Sequence, residues 1–248
     1  MKKLMYLMLV CCCFTFCDKD SAMSAGYAAP QGAGGSMARF AIVGNYLYAV
    51  DESRLRVFDI SDASAPVLKN TVGVGFEIET IFPFRDKLFI GSTSQVHIFS
   101  IENPVSPSKL SAAISPTVLR RCDPVVAKDS VAYATLRATG PCGGVQSILS
   151  VIDIRNITSP VERFTIAMSE PYGLGYANDV LYVCDGINGL VVFDISNAWT
   201  PVRIKQLNDA KYIDVIPMAG ALVCWTQTGV VVYDITDNRN PVLLATIH

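Results

Sequence analysis

The chain has 248 residues and a mass of 26.8 kDa, enough for one large domain or two small ones. An apolar fraction of 51% with 17% charged residues excludes an intrinsically disordered chain. Lysine and arginine number 20 against 22 acidic residues, so no basic surface is indicated and we expect no nucleic-acid partner. The two histidines, His97 and His248, are too few for a multi-histidine metal site.

The first 16 residues have the pattern of a secretory signal peptide. Lys2 and Lys3 precede the apolar stretch 4–16, which is too short to span a bilayer as a helix. Cys17 then stands directly before the polar sequence DKD. This arrangement resembles the signal of a bacterial lipoprotein, in which a diacylated cysteine is the first mature residue. The acidic start is similar to that of surface-displayed lipoproteins of the Bacteroidetes.

This resemblance implies an outer-membrane protein that is lipid-anchored at Cys17 and exposed on the cell surface; an orientation towards the periplasm stays open. Phe16 departs from the pattern, because lipoproteins have a small residue before the cysteine. Three other cysteines therefore remain alternative lipidation sites: Cys11, Cys12 and Cys13. An uncleaved signal anchor is a further alternative. Residues 17–37 continue as a Gly-, Ala- and Ser-rich tether, for which we expect disorder.

A five-fold internal repeat fills residues 38–248. The segment VFDISDASAPV at 57–67 recurs four times, and the third residue of each copy serves as a landmark: Asp59, Ser100, Asp153, Asp194 and Asp234. An Asp or Asn follows each landmark after three residues, and a proline follows after seven. A β-branched and aromatic run precedes each landmark, with two further strands upstream. Each unit is therefore predicted to be a four-stranded meander.

We predict an all-β fold, a β-propeller of five four-stranded blades, each beginning with its innermost strand. The expected inner pairs are 40–43 with 46–50 in the first blade and 172–177 with 180–184 in the fourth. The turns between them are Gly44-Asn45 and Asn178-Asp179. The ring is expected to close by packing the first blade against the fifth. An open solenoid of five sheets is the alternative.

The repeated phrase VFDIS, with its trailing Asp or Asn and proline, resembles the LVIVD repeat of bacterial extracytoplasmic proteins. Further stretches are similar to one group of Bacteroidetes lipoproteins, among them ETIFPF at 79–84, CDPVV at 122–126 and LYVCDG at 181–186. The resemblance implies a fold and a location but no biochemical activity. The chain departs from the repeat at Ser100, where Asp is usual.

Aligning the repeats places four charged residues where inner strands begin, around one mouth of the central channel: Arg39, Glu79, Asp123 and Asp214. Together with Arg137 of the long 136–147 loop they form the predicted ligand-binding set. Several oxygen ligands would suit calcium, so calcium is the one ion considered, while no cofactor or metal site is assigned. The alternative is that these residues only hydrate the channel and bind neighbouring backbone.

The 136–147 loop joins the second and third strands of the third blade, on the side where the inner strand begins. Cys142 is therefore expected above Cys122, and secretion into an oxidising compartment favours a disulfide between them. Two unpaired cysteines are the alternative. Cys184 and Cys224 are expected to be small buried thiols.

No phosphate-binding Gly-rich loop, nucleophile elbow or histidine metal motif occurs in the sequence. We therefore assign no catalytic residue and do not expect an enzyme. The landmark acids recur once per blade, so they are interpreted as turn residues. We expect a binding or assembly module whose partner is a glycan, a peptide or an envelope protein. The alternatives are a glycan hydrolase or lyase that uses the mouth carboxylates, and a purely structural envelope protein.

Overall fold

A computed structural model describes residues 35–114, 124–138 and 146–248. It contains twenty strands in five antiparallel four-stranded sheets, each built from consecutive strands. First strands of successive sheets are neighbours and line the channel. The predicted all-β fold with five four-stranded blades is therefore confirmed. Within the described ranges no helix is long and apolar enough to cross a membrane.

The strand bounds follow the repeat. Blade 1 has β1 (Phe40–Val43), β2 (Tyr46–Val50), β3 (Arg54–Asp59) and β4 (Val67–Gly73). Blade 2 has β5 (Ile78–Phe84), β6 (Lys87–Ser92), β7 (Val96–Ser100) and β8 (Ser108–Ala113). Blade 3 has β9 (Val125–Lys128), β10 (Val131–Leu136), β11 (Ile148–Asp153) and β12 (Val161–Ala167). Blade 4 has β13 (Pro171–Ala177), β14 (Val180–Asp185), β15 (Leu190–Asp194) and β16 (Val202–Leu207), with a 3-10 turn at Gly186–Asn188. Blade 5 has β17 (Tyr212–Met218), β18 (Ala221–Thr226), β19 (Gly229–Asp234) and β20 (Val242–Ile247).

The landmark side chains are turn residues, as predicted. Each accepts a hydrogen bond from the backbone N–H two residues later, as Asp234 does from Thr236 at 2.7 Å and Ser100 from Glu102 at 3.3 Å. The Asp or Asn three residues after each landmark repeats this bond, as Asp62 does with Ser64. The same bonds recur in every blade, so the landmark side chains solve one structural problem five times, four times with a carboxylate and once with the hydroxyl of Ser100.

Buried side chains join consecutive blades in four hydrophobic clusters, between blades 1 and 2, 2 and 3, 3 and 4, and 4 and 5. Tyrosines on second strands add a hydrogen bond to three of these interfaces. The hydroxyl of Tyr182, for instance, donates to the carbonyl of Asn238 in the landmark turn of the next blade at 2.7 Å. Tyr48 and Tyr133 do the same to the following blade at 2.9 and 2.8 Å. Blade 2 has Phe89 at this position, and the hydroxyl of Ser111 donates the corresponding hydrogen bond, to the carbonyl of Ile157 in blade 3.

The predicted packing of blade 1 against blade 5 is wrong for the described residues, because no buried cluster joins these two blades. On blade 1, Phe40 is 58% exposed, and on blade 5, Trp225 is 55% exposed. The sequence explains the difference. Arg56 occupies the position at which blade 4 has the buried Val191, and burying an unpaired guanidinium is unfavourable. Val223 replaces the tyrosine that bonds to the next blade.

Candidate functional site at the channel mouth

Bulges at the start of the inner strands orient the side chains at the mouth. The pairing register shifts between Ile78 and Thr80 in β5 and between Pro171 and Leu174 in β13. Glu79 and Tyr172 lie in these two bulges. A bulge leaves one residue outside the regular pairing and redirects its side chain, a device that is frequent next to binding sites.

The redirected side chains line a cavity of about 280 Å³, which we call the mouth cavity. Its walls come from the segment before β1 and from the starts of the inner strands, together with the end of β10. The lining residues are Met37, Arg39, Glu79, Thr80, Pro124, Arg137, Pro171 and Tyr172. Three of the predicted binding residues, Arg39, Glu79 and Arg137, are thus brought together.

Two guanidinium groups face this cavity. The Arg39 side chain donates a hydrogen bond from Nη2 to the carbonyl of Ile78 at 3.1 Å, which fixes its direction. The Arg137 guanidinium carbon lies 4.2 Å from the centre of the Tyr172 ring, a cation–π arrangement. The Tyr172 hydroxyl donates to Glu170 at 2.8 Å, so the ring itself is held from its far end. The two cationic groups are therefore held in place by neighbouring protein groups.

Glu79 is the one acidic side chain among the residues that line the mouth cavity. Burial raises the pKa of its carboxyl group, while the charges of Arg137 and Arg39 act in the opposite direction. With two guanidinium groups against one carboxylate, the described lining carries a net positive charge at neutral pH. Such a lining can hold an anionic group through charge-assisted hydrogen bonds.

Asp214 lies outside the mouth cavity, beneath the segment Gly35–Met37. Its carboxylate accepts hydrogen bonds from the Ser36 hydroxyl at 3.3 Å and from the Val215 N–H at 3.0 Å. Burial raises its pKa to about 6, although the hydrogen bonds act against this. Glycine is required at position 173, because a Cβ there would lie 2.0 Å from Asp214 Oδ1. This close approach of β13 and β17 leaves no room for a ligand at the carboxylate.

The remaining predicted sites fall partly outside the described residues. Asp123, Cys122, Cys142 and Cys17 lie there, as do the other candidate lipidation sites. Cys184 and Cys224 are buried free thiols, as predicted. In the described part of the chain, no three His, Cys, Asp or Glu side chains are close enough to hold a metal ion.

Sequence reasoning missed a second cavity of about 620 Å³, which we call the lateral cavity. It shares Arg39 and Glu79 with the mouth cavity and extends over blades 1 and 2. Its other lining residues are Glu52, Ser53, Phe76, Glu77, Ile78 and Thr93. The sequence signal was the motif Gly75-Phe76-Glu77 before β5, where an aromatic residue stands in a loop.

The family description LVIVD repeat matches residues 34–74 and 175–208, which correspond to blade 1 and most of blade 4. The resemblance of the repeated phrase to this repeat is therefore confirmed for these two blades. A comparison with curated proteins finds no match.

Among solved structures, a protein from Lactobacillus plantarum is similar, with a TM-score of 0.63 and 14% identity over 83% of this chain and 72% of that one. A periplasmic gluconolactonase from Pseudomonas aeruginosa gives a TM-score of 0.61 and 12% identity over 82% of this chain and 67% of the enzyme. Apo AztD from Citrobacter koseri gives a TM-score of 0.54 and 13% identity over 81% of this chain and 58% of that chain. At these identities the likeness shows the fold alone.

Proposed function

We propose that this propeller, which carries LVIVD repeats in its first and fourth blades, is a non-enzymatic binding module of the bacterial cell surface. Its ligand places an anionic group in the mouth cavity. The observation that carries the proposal is the convergence of Arg39 and Arg137 on one cavity beside the Tyr172 ring. Guanidinium groups bind carboxylates in a bidentate fashion, and an aromatic ring offers a flat apolar surface to the remainder of the ligand.

The test combines a glycan array with calorimetry and turnover assays on the purified protein. Arg137→Gln should weaken binding about ten-fold, because a charge-assisted contact is lost. Arg85→Gln is the matched control, since the Arg85 guanidinium lies 4.9 Å from the Phe84 ring in a hairpin turn remote from the cavity. Asp123→Ala tests the predicted binding residue outside the described ranges. Equal affinity of Arg137→Gln and the unchanged protein for every bound glycan would contradict the proposal.

A second candidate function is glycan hydrolysis with Glu79 as general acid. Burial raises the pKa of its half-buried carboxyl group, which is the direction that a general acid requires. A hydrolase of this kind needs a second carboxylate at the reacting bond, and Asp214 is covered by Ser36. Turnover of any array ligand, abolished by Glu79→Gln with binding retained, would establish the enzyme in place of the binding module.

The proposed location is the outer surface of the outer membrane, with the lipid on Cys17 and residues 18–37 as the tether. In the structure the chain reaches blade 1 through Gly35–Met37 at the mouth. Cys17→Ala should release the protein from membranes and abolish labelling by fatty acid. Labelling that persists would move the lipid to one of Cys11, Cys12 and Cys13.

We also propose the Cys122–Cys142 disulfide. The N–H of Thr135 donates a hydrogen bond to the carbonyl of Pro124 at 3.1 Å, so the residue before β9 and the end of β10 lie side by side at the mouth. Cys122 precedes Pro124 by two residues, and Cys142 follows Ala138 by four. Alkylation of unreduced protein followed by mass measurement should leave these two cysteines unmodified; two alkylated cysteines at these positions would contradict the bridge.

A further inference from the structure

The mouth cavity and the lateral cavity are neighbours, because Arg39 and Glu79 line both of them and form a shared wall. The mouth cavity, of about 280 Å³, lies at the ends of blades 1 to 4, and the lateral cavity, of about 620 Å³, extends from it over blades 1 and 2. A group that fills the mouth cavity can therefore continue over this wall. The shape suits a chain of several units better than a single small molecule.

Phe76 forms the outer wall of the lateral cavity and is 85% exposed. The following residue, Glu77, has a φ of 55°, an unusual backbone conformation for a residue other than glycine. Its carbonyl accepts a hydrogen bond from the Thr93 N–H at 3.2 Å, and its carboxylate accepts one from the Thr93 hydroxyl. The N–H of Ile78 bonds to the carbonyl of Glu52 at 3.1 Å. These bonds fix the backbone that directly follows Phe76, and so set where this residue stands at the lateral cavity.

The two cavities differ in charge. The mouth cavity has the guanidinium groups of Arg39 and Arg137 against the single carboxyl group of Glu79. In the lateral cavity Glu52 and Glu77 join Glu79, and Arg39 is the one cation in its lining. An anionic unit is therefore attracted to the mouth cavity and repelled from the lateral cavity.

We infer that the ligand is an oligosaccharide in which an acidic sugar, bound in the mouth cavity, is linked to an uncharged sugar that lies against Phe76 in the lateral cavity. This inference rests on the proposed function and specifies its ligand. The carboxylate of the acidic sugar meets Arg39 and Arg137, and the apolar face of the next ring packs on the exposed phenyl ring.

An oligosaccharide accounts for these features better than a peptide does. Extended peptides commonly bind by adding a strand to an open sheet edge. Here the lining consists of side chains at strand ends and in loops, among them the flat rings of Tyr172 and Phe76. Carboxylates and hydroxyls around those rings supply acceptors and donors for the many hydroxyl groups of a sugar.

The experiment compares three tetrasaccharides by isothermal titration calorimetry at low salt. One alternates glucuronate with N-acetylglucosamine, one contains only galacturonate, and one contains only N-acetylglucosamine. The alternating probe should bind at least ten-fold more tightly than either of the others, because it alone satisfies both cavities. Phe76→Ala should reduce that preference to less than three-fold.

Glu77→Gln provides a test in the opposite direction. Removing its charge should strengthen binding of the all-galacturonate probe several-fold, since the repulsion in the lateral cavity falls. Glu102→Gln is the matched control, because Glu102 lies in the landmark turn of blade 2, away from both cavities, and should leave all three affinities unchanged.

Equal affinity for the alternating and the all-galacturonate probes, both weakened by Arg137→Gln, would overturn this inference while the proposed function stands. Tetra-alanine with a free carboxylate, if it binds as tightly as the alternating probe, would overturn the assignment to a glycan in the same way. An absence of binding by all the probes at millimolar concentration would count against both.

Discussion

The Ser36 hydroxyl donates a hydrogen bond to the Asp214 carboxylate at 3.3 Å and accepts one from the Leu174 N–H at 2.7 Å. Ser36 precedes blade 1, whereas Leu174 and Asp214 belong to the inner strands of blades 4 and 5. The two ends of the blade series are therefore joined at the channel, although their outer faces do not pack together. The segment that connects the tether to the propeller also forms part of the mouth-cavity wall through Met37.

Asp214 should make stability depend on pH. Its folded-state pKa of about 6 exceeds the pKa of an Asp in the unfolded chain. Its contribution to the free energy of unfolding is therefore largest at low pH and declines as the pH rises towards 6. Between pH 7 and pH 5 the protonation of this group should add about 1 kcal/mol to the free energy of unfolding. Urea unfolding of Asp214→Asn should lack this contribution. An identical pH profile for variant and unchanged protein would contradict the burial of a carboxylate at this place.

His97 should produce the opposite dependence. Burial, assisted by the charge of Lys109, lowers its pKa to about 4, so the neutral ring is favoured in the folded state. The contribution of His97 to the free energy of unfolding is complete above pH 6.5 and is lost as the pH falls towards 4. The loss between pH 7 and pH 5 should be about 2 kcal/mol. His97→Gln, compared with the unchanged protein over this range, should remove the loss. An NMR titration that gave His97 a pKa near 6.5 would contradict the prediction.

Tyr182→Phe should destabilise the protein by about 1 kcal/mol, because the carbonyl of Asn238 loses its donor inside the interface between blades 4 and 5. Tyr176→Phe is the matched control, since the Tyr176 hydroxyl has no hydrogen-bond partner among the described residues. Chemical unfolding measures both variants. Equal effects of the two substitutions would show that the inter-blade hydrogen bond does not contribute.

Trp225 should be accessible to solvent quenchers. It is 55% exposed on the free face of blade 5, whereas Trp199, the other tryptophan, is half-buried beneath the Arg155 guanidinium. Acrylamide should quench the fluorescence of Trp225 more strongly than that of Trp199. The Trp199→Phe variant, which retains Trp225, should therefore be quenched more strongly than the Trp225→Phe variant. Protection of Trp225 would indicate that blade 5 packs against blade 1 after all.

The strands could be predicted from the sequence because the same pattern of strand and turn residues recurs in every blade. The predicted pairs around Gly44-Asn45 and Asn178-Asp179 match the observed strands to within one residue at each end. Positive φ angles of 56° at Gly44 and 51° at Asn178 explain why these residue types stand in the turns. Local hydrogen bonding and side-chain alternation decide such features, and both can be read from a short stretch of chain.

The site could be predicted only in part, because its geometry depends on single departures from the repeat. Alignment of the repeats predicted Arg39 and Glu79 at the mouth, and the position of the 136–147 loop added Arg137, but the alignment also included Asp214, which Ser36 covers. That cover comes from a residue outside the repeat, so no periodicity could reveal it. Phe76 was missed for a related reason: it stands in the loop before β5, next to Glu77, whose positive φ and bond to Thr93 have no counterpart in the repeated pattern.

A crystal structure of the purified protein soaked with glucuronate would show whether the mouth cavity binds an acidic sugar. The sugar carboxylate should lie within hydrogen-bond distance of both Arg39 and Arg137, with its ring beside Tyr172. At a saturating concentration, glucuronate bound elsewhere on the protein, or absent from the mouth cavity, would contradict this prediction.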